Sequence, residues 1–314
     1  MRSLRSILML SLVLSLIACN RKPRITRFDT MTSGVASIVC EECLSPIIQE
    51  QVSTFEGLNP EAKINATYTD EVTAMNLLIK DSIRLVVAAR DLTGKEFKYL
   101  ESLKLRPRSK KIAIDGVALI INKQNKDSII SVSTIRKIMT GEIKDWKQIY
   151  PNSNLGKINV VFDNPNSSTV RYIKDSICRK QSFSASIKAM KTNKDVIDLV
   201  SKSSNAIGII GVSWISNPRD STNLSFINQV RVMSVSAFEE ARLDNSYQPF
   251  AAYLALGKYP MTRDIYMITS DVAGGLPSGF MNFVAGDRGQ RMILKLGLVP
   301  ANRPMRLVSI KSEF

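Results

Sequence analysis

Short apolar, β-branched runs alternating with segments of helical period over most of the 314 residues predict an α/β fold. An apolar content of 44% suits a chain with a large core, and the length leaves room for one large domain or two lobes. Internal repeats and low-complexity tracts are absent from the sequence.

In chain order, basic Arg2 and Arg5 precede an apolar stretch, residues 7–17, that runs into Ala18-Cys19. A bilayer core of about 30 Å takes about 20 apolar residues, so this stretch is too short to span one. With a small residue just before the cysteine it reads as a lipoprotein signal over residues 1–18, cleaved so that Cys19 carries the lipid. A basic, proline-containing leader follows over residues 20–26, and residues 19–23 are read as a lipidated tether. No later stretch is long and apolar enough to span a membrane, so the expected body is soluble and held at the cell envelope by its lipid alone, facing the periplasm or exterior.

The spacing predicts a helix over 45–57, with Pro46 in its first turn and Ile47, Ile48, Val52 and Phe55 on one face. Residues 64–68 alternate as a strand, 72–79 read as a helix, and 83–89 and 112–122 as buried strands. Residues 133–141 carry a capping serine, Ser133, apolar residues three and four apart, and a terminating glycine, Gly141. A strand over 158–162, a polar loop, a helix through Cys178 and a strand over 206–212 follow. Residues 280–284 and 288–296 form a broken amphipathic helix stopped by Gly297 and Pro300.

The chain has 43 Lys+Arg against 28 Asp+Glu, a formal charge of +15 that loses two with the signal. Its densest basic clusters, residues 21–27 and 106–111, are broken by prolines and lack interleaved aromatics, so nucleic acid is not an expected partner. Histidine is absent, which excludes Ser-His-Asp and Cys-His catalysis, histidine metal sites and histidine proton relays together. Neither an enzyme nor a cofactor or metal site is expected. Cys40 and Cys43 have the spacing of a redox pair, but Glu41 and Glu42 between them disfavour the thiolate. They are read as a passive disulfide or two buried thiols, and Cys178 as a core residue.

Residues 164–169, Asn-Pro-Asn-Ser-Ser-Thr, lie between the strand ending at Phe162 and a helix whose Val170, Ile173 and Ile177 share a face. The free N–H groups of a first helical turn, the positive end of its dipole and adjacent hydroxyls suit a tetrahedral oxyanion. The same residues also serve if Ser167 merely caps the helix.

Wider stretches bear on this choice: Asp115 to Asn122, Ile135 to Trp146, Ser167-Ser168-Thr169, Asn205 to Gly211, Tyr259-Pro260-Met261-Thr262-Arg263, and Gly289-Gln290 with Gly297-Leu298-Val299-Pro300. In order and spacing they resemble the phosphate-binding proteins of phosphate ABC transporters over essentially the whole mature chain. The resemblance implies a type II periplasmic-binding-protein fold, two α/β lobes joined by two crossing strands. Lobe one would be 24–122 plus 252–314, and lobe two 123–251. It also implies an anion held without metal by N–H groups and hydroxyls at helix starts, with an arginine and an aspartate facing each other.

Several positions depart from the family's pattern. Asp163 stands where the family carries arginine, Ser168 replaces the middle glycine of its Ser-Gly-Thr motif, and Arg90 is the better match near the family's aspartate. If Arg90 and Asp163 face each other, the ion pair survives with its ends reversed; otherwise each is a solvated charge. Cys43 falls where Thr or Ser is usual, with Glu42 before it, and Thr69 matches the second-loop hydroxyl beside Asp70. The expected anion-binding set is therefore Cys43, Thr69, Arg90, Asp163, Ser167, Ser168 and Thr169. The leading reading is a lipid-anchored binding protein delivering phosphate or a related oxyanion to ABC permease subunits. Its rivals are an envelope sensing or interaction protein with an altered cleft, and a redox lipoprotein using Cys40 and Cys43.

Overall fold

The computed structural model describes residues 29–179, 181–217, 225–271 and 274–302. The signal, Cys19 and the leader lie outside them, as does part of the loop after Ser216.

Strand β1 (Gly34–Glu41) passes through a 3-10 turn (Glu42–Leu44) into helix α1 (Ser45–Leu58), with Pro46 in its first turn. Strand β2 (Ala62–Thr69), helix α2 (Glu71–Ile79), β3 (Leu85–Ala88) and α3 (Gly94–Ser102) follow. The long β4 (Arg108–Ile121), the short β5 (Ile129–Ser131) and α4 (Val132–Thr140) lead to β6 (Asn159–Phe162). Helix α5 (Ser168–Tyr172) continues without a break as a π turn (Ile173–Ile177), ahead of β7 (Lys188–Ala189), α6 (Asn193–Lys202) and β8 (Ala206–Gly211). After β9 (Arg231–Val232), β10 (Ser234–Ser236), β11 (Ser246–Tyr247) and α7 (Ala251–Ala255) come β12 (Thr262–Thr269), α8 (Leu276–Ala285), α9 (Asp287–Lys295) and β13 (Val299–Pro300).

The elements read from the sequence appear near the expected places, with three differences. β1, α3, α6 and β12 are among the elements not read from the sequence: β1 offers only a short apolar stretch between small residues, α3 and α6 are rich in polar residues, and β12 carries Arg263 and Asp264 within it. The cap of α4 is Ser131, whose hydroxyl accepts from the Thr134 N–H, and not Ser133; Gly141 ends the helix in the left-handed region at φ 83°. The helix after residue 167 widens into a π turn, which no periodicity argument anticipates.

One curled sheet runs β2-β1-β3-β12-β4-β8-β6-β7, with β9 and β13 also pairing β4. β1 pairs β2 and β3 in parallel, as βαβ connection demands, whereas β12 is antiparallel to both β3 and β4. The pivotal element is β4. Its first part, up to Gly116, pairs β12, and from Val117 onward it pairs β8, so one strand belongs to two halves of the sheet. Gly116 sits at this change because a Cβ there would lie 2.9 Å from a Val212 methyl and 3.0 Å from a Leu254 methyl. Each half has its own core. Ile38, Leu44, Ile48, Phe55 and Phe280 pack on one, and Leu119, Ile135, Trp146, Phe162 and Ile209 on the other. The result is a mixed α/β, two-lobe architecture in which β1 ends in one lobe and α5 begins in the other. Among the described residues no helix is long and apolar enough to cross a membrane.

Candidate functional site

The C-terminal end of β1 delivers Glu41, Glu42 and Cys43 to the seam between the lobes. From the opposite side the β6 strand ends at Phe162, and Asp163 and a tight turn lead to Ser167, the N-cap of α5. The turn forms because the Asn164 side chain accepts from the Asn166 N–H at 2.9 Å, which frees the chain to start a helix at Ser168.

Asp163 is buried beneath this helix start and accepts from the Ser167 hydroxyl at 2.7 Å, from the Thr169 hydroxyl and from the Asn193 amide at 3.2 Å. Both hydroxyls expected to face an anion are thus already engaged by the chain's own carboxylate. The Ser168 N–H, a first-turn donor free of intrahelical partners, donates to Oε1 of Glu41 at 2.6 Å. Glu42 accepts at 2.6 Å from the Asn193 side chain, and Arg171 forms a bidentate ion pair with the buried Glu71. The lobes therefore meet through charged and polar contacts.

Arg263, on β12, is the cationic centre. Its guanidinium reaches Asp115 from Nε at 3.0 Å and from Nη2 at 2.9 Å, the Ser168 hydroxyl from Nη1 at 2.5 Å and the Cys43 sulfur at 3.2 Å. Asp115 is fully buried and Arg263 only 6% exposed, so the pair is shielded from water and each partner depends on the other.

Of the seven residues read from the sequence, Cys43, Thr69, Asp163 and Ser167 line a cavity of about 170 Å³, together with Glu41, Glu42, Asp70 and Lys191. Ser168 and Thr169, next in the chain after Ser167, are fully buried and do not line it. Arg90 does not join them: its guanidinium makes two 2.8 Å bonds to Glu96 and one of 3.0 Å to the Asp91 carbonyl. The suggested Arg90–Asp163 pair is replaced by a local one, because Glu96 is already fixed in the capping box of α3 only six residues away. Burial works to raise the Glu96 carboxyl, but Arg90 and Thr93 bring it down to about 2. Its stabilising contribution is present above pH 4.5 and fades as pH falls towards 2. Arg90→Ala is therefore expected to leave oxyanion affinity within about twofold and to lower stability by no more than about 1 kcal/mol, chiefly near neutral pH. Calorimetry and urea unfolding check both, and a large loss of affinity would return Arg90 to the site.

Sequence reasoning missed Arg263 as a site residue although it ends the Tyr259-Pro260-Met261-Thr262-Arg263 stretch. The available signal was an arginine inside an alternating apolar strand, between Met261 and Ile265. Glu41 was weighed only for its effect on the neighbouring thiols. Cys40, Cys43 and Cys178 are free and buried, and burial, with the nearby acidic groups, pushes the Cys40 and Cys43 thiols well up, so thiolate chemistry has no support.

Five carboxylates, Glu41, Glu42, Glu71, Asp115 and Asp163, share the seam with Arg171 and Arg263. Burial raises Glu42, Asp115 and Asp163. Burial, reinforced by Glu71, lifts Glu41 from 4.5 to about 7 against the pull of Arg263 and Ser168. Between those pH values the native chain holds a proton that the unfolded chain has released, so Glu41 lowers stability progressively as pH rises across that window. Oε2 of Glu41, Oδ1 of Asp115 and Oδ1 of Asn193 are buried acceptors with no hydrogen-bond partner among the described residues. Among those residues no group of three or more Cys, Asp or Glu is arranged to hold a metal ion.

Residues 29–288 match the PBP superfamily domain. A phosphate-binding protein, PstS, of Borreliella burgdorferi is 23% identical over 273 residues, covering 84% of this chain and 89% of that protein. A Clostridium perfringens substrate-binding protein solved with bound phosphate superposes with a TM-score of 0.70 at 19% identity, covering 85% of this chain and all of that one. An ABC-type phosphate transport receptor from Vibrio cholerae gives a TM-score of 0.63, also at 19% identity, over 85% of this chain and 100% of that one. These are binding proteins rather than enzymes, and the structural likenesses carry the fold. On the strength of the match across most of its length, the chain belongs to the PBP superfamily.

Proposed function

We propose that the chain is the extracytoplasmic substrate-binding protein of a phosphate-type ABC uptake system, capturing phosphate or a related oxyanion between lobes formed by residues 24–122 with 252–314 and 123–251. The observation that carries this reading is the convergence, across the seam, of the buried Arg263 guanidinium and the Ser168 N–H at a helix start. A guanidinium and a first-turn amide together bind anions, and both belong to elements that approach each other when the lobes close. Cys43, Thr69 and Ser168 would supply further contacts, as would the Ser167 and Thr169 hydroxyls on release from Asp163. Asp163 would accept from a protonated ligand oxygen, which favours phosphate over sulfate, an anion with no proton to give.

The test is calorimetry of residues 20–314 with phosphate, arsenate, sulfate and nitrate. Saturable binding of phosphate and arsenate with much weaker binding of sulfate supports the proposal. Absence of any oxyanion binding sinks it and favours the second reading, an envelope sensing or interaction protein. That second reading has one observation behind it, the seam in which the chain's own carboxylates already engage the helix start.

An anchored protein stays close to permease subunits in the membrane, and Cys19 is the proposed anchor. Cys19→Ala is expected to move the protein from the membrane fraction to the soluble one, or to leave it unprocessed with its signal attached. A processed Cys19→Ala protein that still sediments with membranes would refute the anchor.

A further inference from the structure

We infer that Glu41 is an internal ligand of the anion site, its carboxylate standing at the Ser168 N–H that an incoming oxyanion would use, so that capture requires Glu41 to give up that position. The inference rests on the anion-binding reading of this site and adds the residue that gates it.

Glu41 Oε1 sits 2.6 Å from the Ser168 nitrogen, and the two residues, 127 apart in sequence, belong to opposite lobes. The contact is not an ordinary cap. Ser167 caps the helix with its own hydroxyl, and Asp163 takes the hydroxyls of Ser167 and Thr169. The Ser168 amide is directed at the other lobe, and a fully buried carboxylate occupies it. The helical run beyond, through residue 177, exceeds two turns, and Arg263 approaches the same serine from its hydroxyl side. A second feature points the same way: Oε2 of Glu41 is buried and has no partner among the described residues, and Glu41 is one of the residues lining the cavity. Most buried carboxylate oxygens are hydrogen-bonded, so an unmatched one calls for an explanation. A carboxylate that sits on a helix-start amide with its second oxygen unmatched stands as a bound anion would.

Two anions cannot share one amide and one guanidinium in a buried seam without a large electrostatic cost, so phosphate and ionised Glu41 exclude each other. Protonation resolves the conflict. A neutral Glu41 no longer competes as an anion, and its O–H can donate to a phosphate oxygen. The charged and titratable groups around it are Cys40, Glu42 and Cys43 on its own strand and turn, Glu71 with its partner Arg171 at the start of α2, and Asp115 and Arg263 on β4 and β12. Across the cavity stand Asp70, Asp163 and Lys191. Carboxylates predominate in this set, so the surroundings favour uptake of the proton at Glu41, which burial already lifts to about 7. Phosphate capture is thereby tied to pH: it tightens below the titration of Glu41 and weakens above it.

Two measurements on full-length mature protein test this. The amide proton of Ser168, followed by NMR without any anion, should shift with a midpoint near pH 7 in the parent and stay flat in Glu41→Gln. In parallel, phosphate affinity is measured for both proteins from pH 6 to pH 8. The ratio of variant to parent affinity should be near one at pH 6 and rise to about tenfold at pH 8, the change expected when only the protonated form of a group titrating near 7 admits the ligand. Taking the ratio removes the titration of phosphate itself, and circular dichroism confirms that the isosteric variant is folded. A Ser168 amide with no titration in the parent, or the same titration in both proteins, overturns the inference. If phosphate binds with a ratio that does not change with pH, the inference falls while the phosphate reading stands. If the amide titrates as expected but neither protein binds phosphate, Glu41 still holds the Ser168 amide, but the phosphate reading and the gating that rests on it both fail.

Discussion

Arg263→Ala is expected to lower unfolding stability by about 3–5 kcal/mol and to abolish measurable phosphate binding. The size follows from what is left behind. Asp115 is fully buried, one of its oxygens already lacks a partner, and the other accepts only from Arg263 among side chains. Removing the guanidinium strands that charge, and the Ser168 hydroxyl and Cys43 sulfur lose their contacts in the same step. Arg263→Lys keeps the charge but not the fork that reaches Asp115 and Ser168 together, so it should recover part of the stability and little of the affinity. Urea unfolding and calorimetry read both quantities. A variant within about 1 kcal/mol of the parent would show that the pair contributes little.

The second large effect is expected from Ser168→Pro. Ser168 is the first residue of α5, where proline fits without loss of an intrahelical bond, and Ser167 before it has φ −77° and ψ 161°, the conformation that precedes proline. The substitution removes one N–H and leaves the helix able to form. Loss of an amide donor to an anion costs about 1.5–3 kcal/mol, so phosphate affinity should drop roughly ten- to hundredfold. Ser168→Ala separates the hydroxyl, which Arg263 contacts, from the amide, and it should cost less. Equal losses in the two variants would assign the effect to the hydroxyl.

Much of the architecture was legible because the elements that build it follow simple periodicities. The buried strands β3 and β8 announce themselves as unbroken apolar runs, the inner part of β4 as a nearly continuous one interrupted by Asp115, and α1 by its spaced isoleucines, valine and phenylalanine. The loop before α5 was legible as a helix start with hydroxyls, and Cys43, Thr69, Asp163 and Ser167 do line one cavity. What sequence could not supply was pairing. Arg90 and Arg263 are both arginines beside apolar strands, and only the fold decides that Glu96 claims the first while Asp115 claims the second. Glu41 was opaque for a related reason: its role arises from the approach of two lobes, and no local pattern encodes a contact across 127 residues. The π turn after Tyr172 is a one-residue change of winding with no compositional signature.

An oxyanion is expected at the Ser168 amide beside Arg263. The most direct measurement is a crystal structure of residues 20–314 grown with arsenate at pH 6, in which the arsenic is located by its anomalous scattering. Arsenate is expected within hydrogen-bonding distance of the Ser168 N–H and the Arg263 guanidinium, with the Glu41 carboxyl displaced from that amide. Arsenate bound elsewhere, or a saturated crystal in which Glu41 still holds Ser168 and the cavity contains no arsenic, would contradict it.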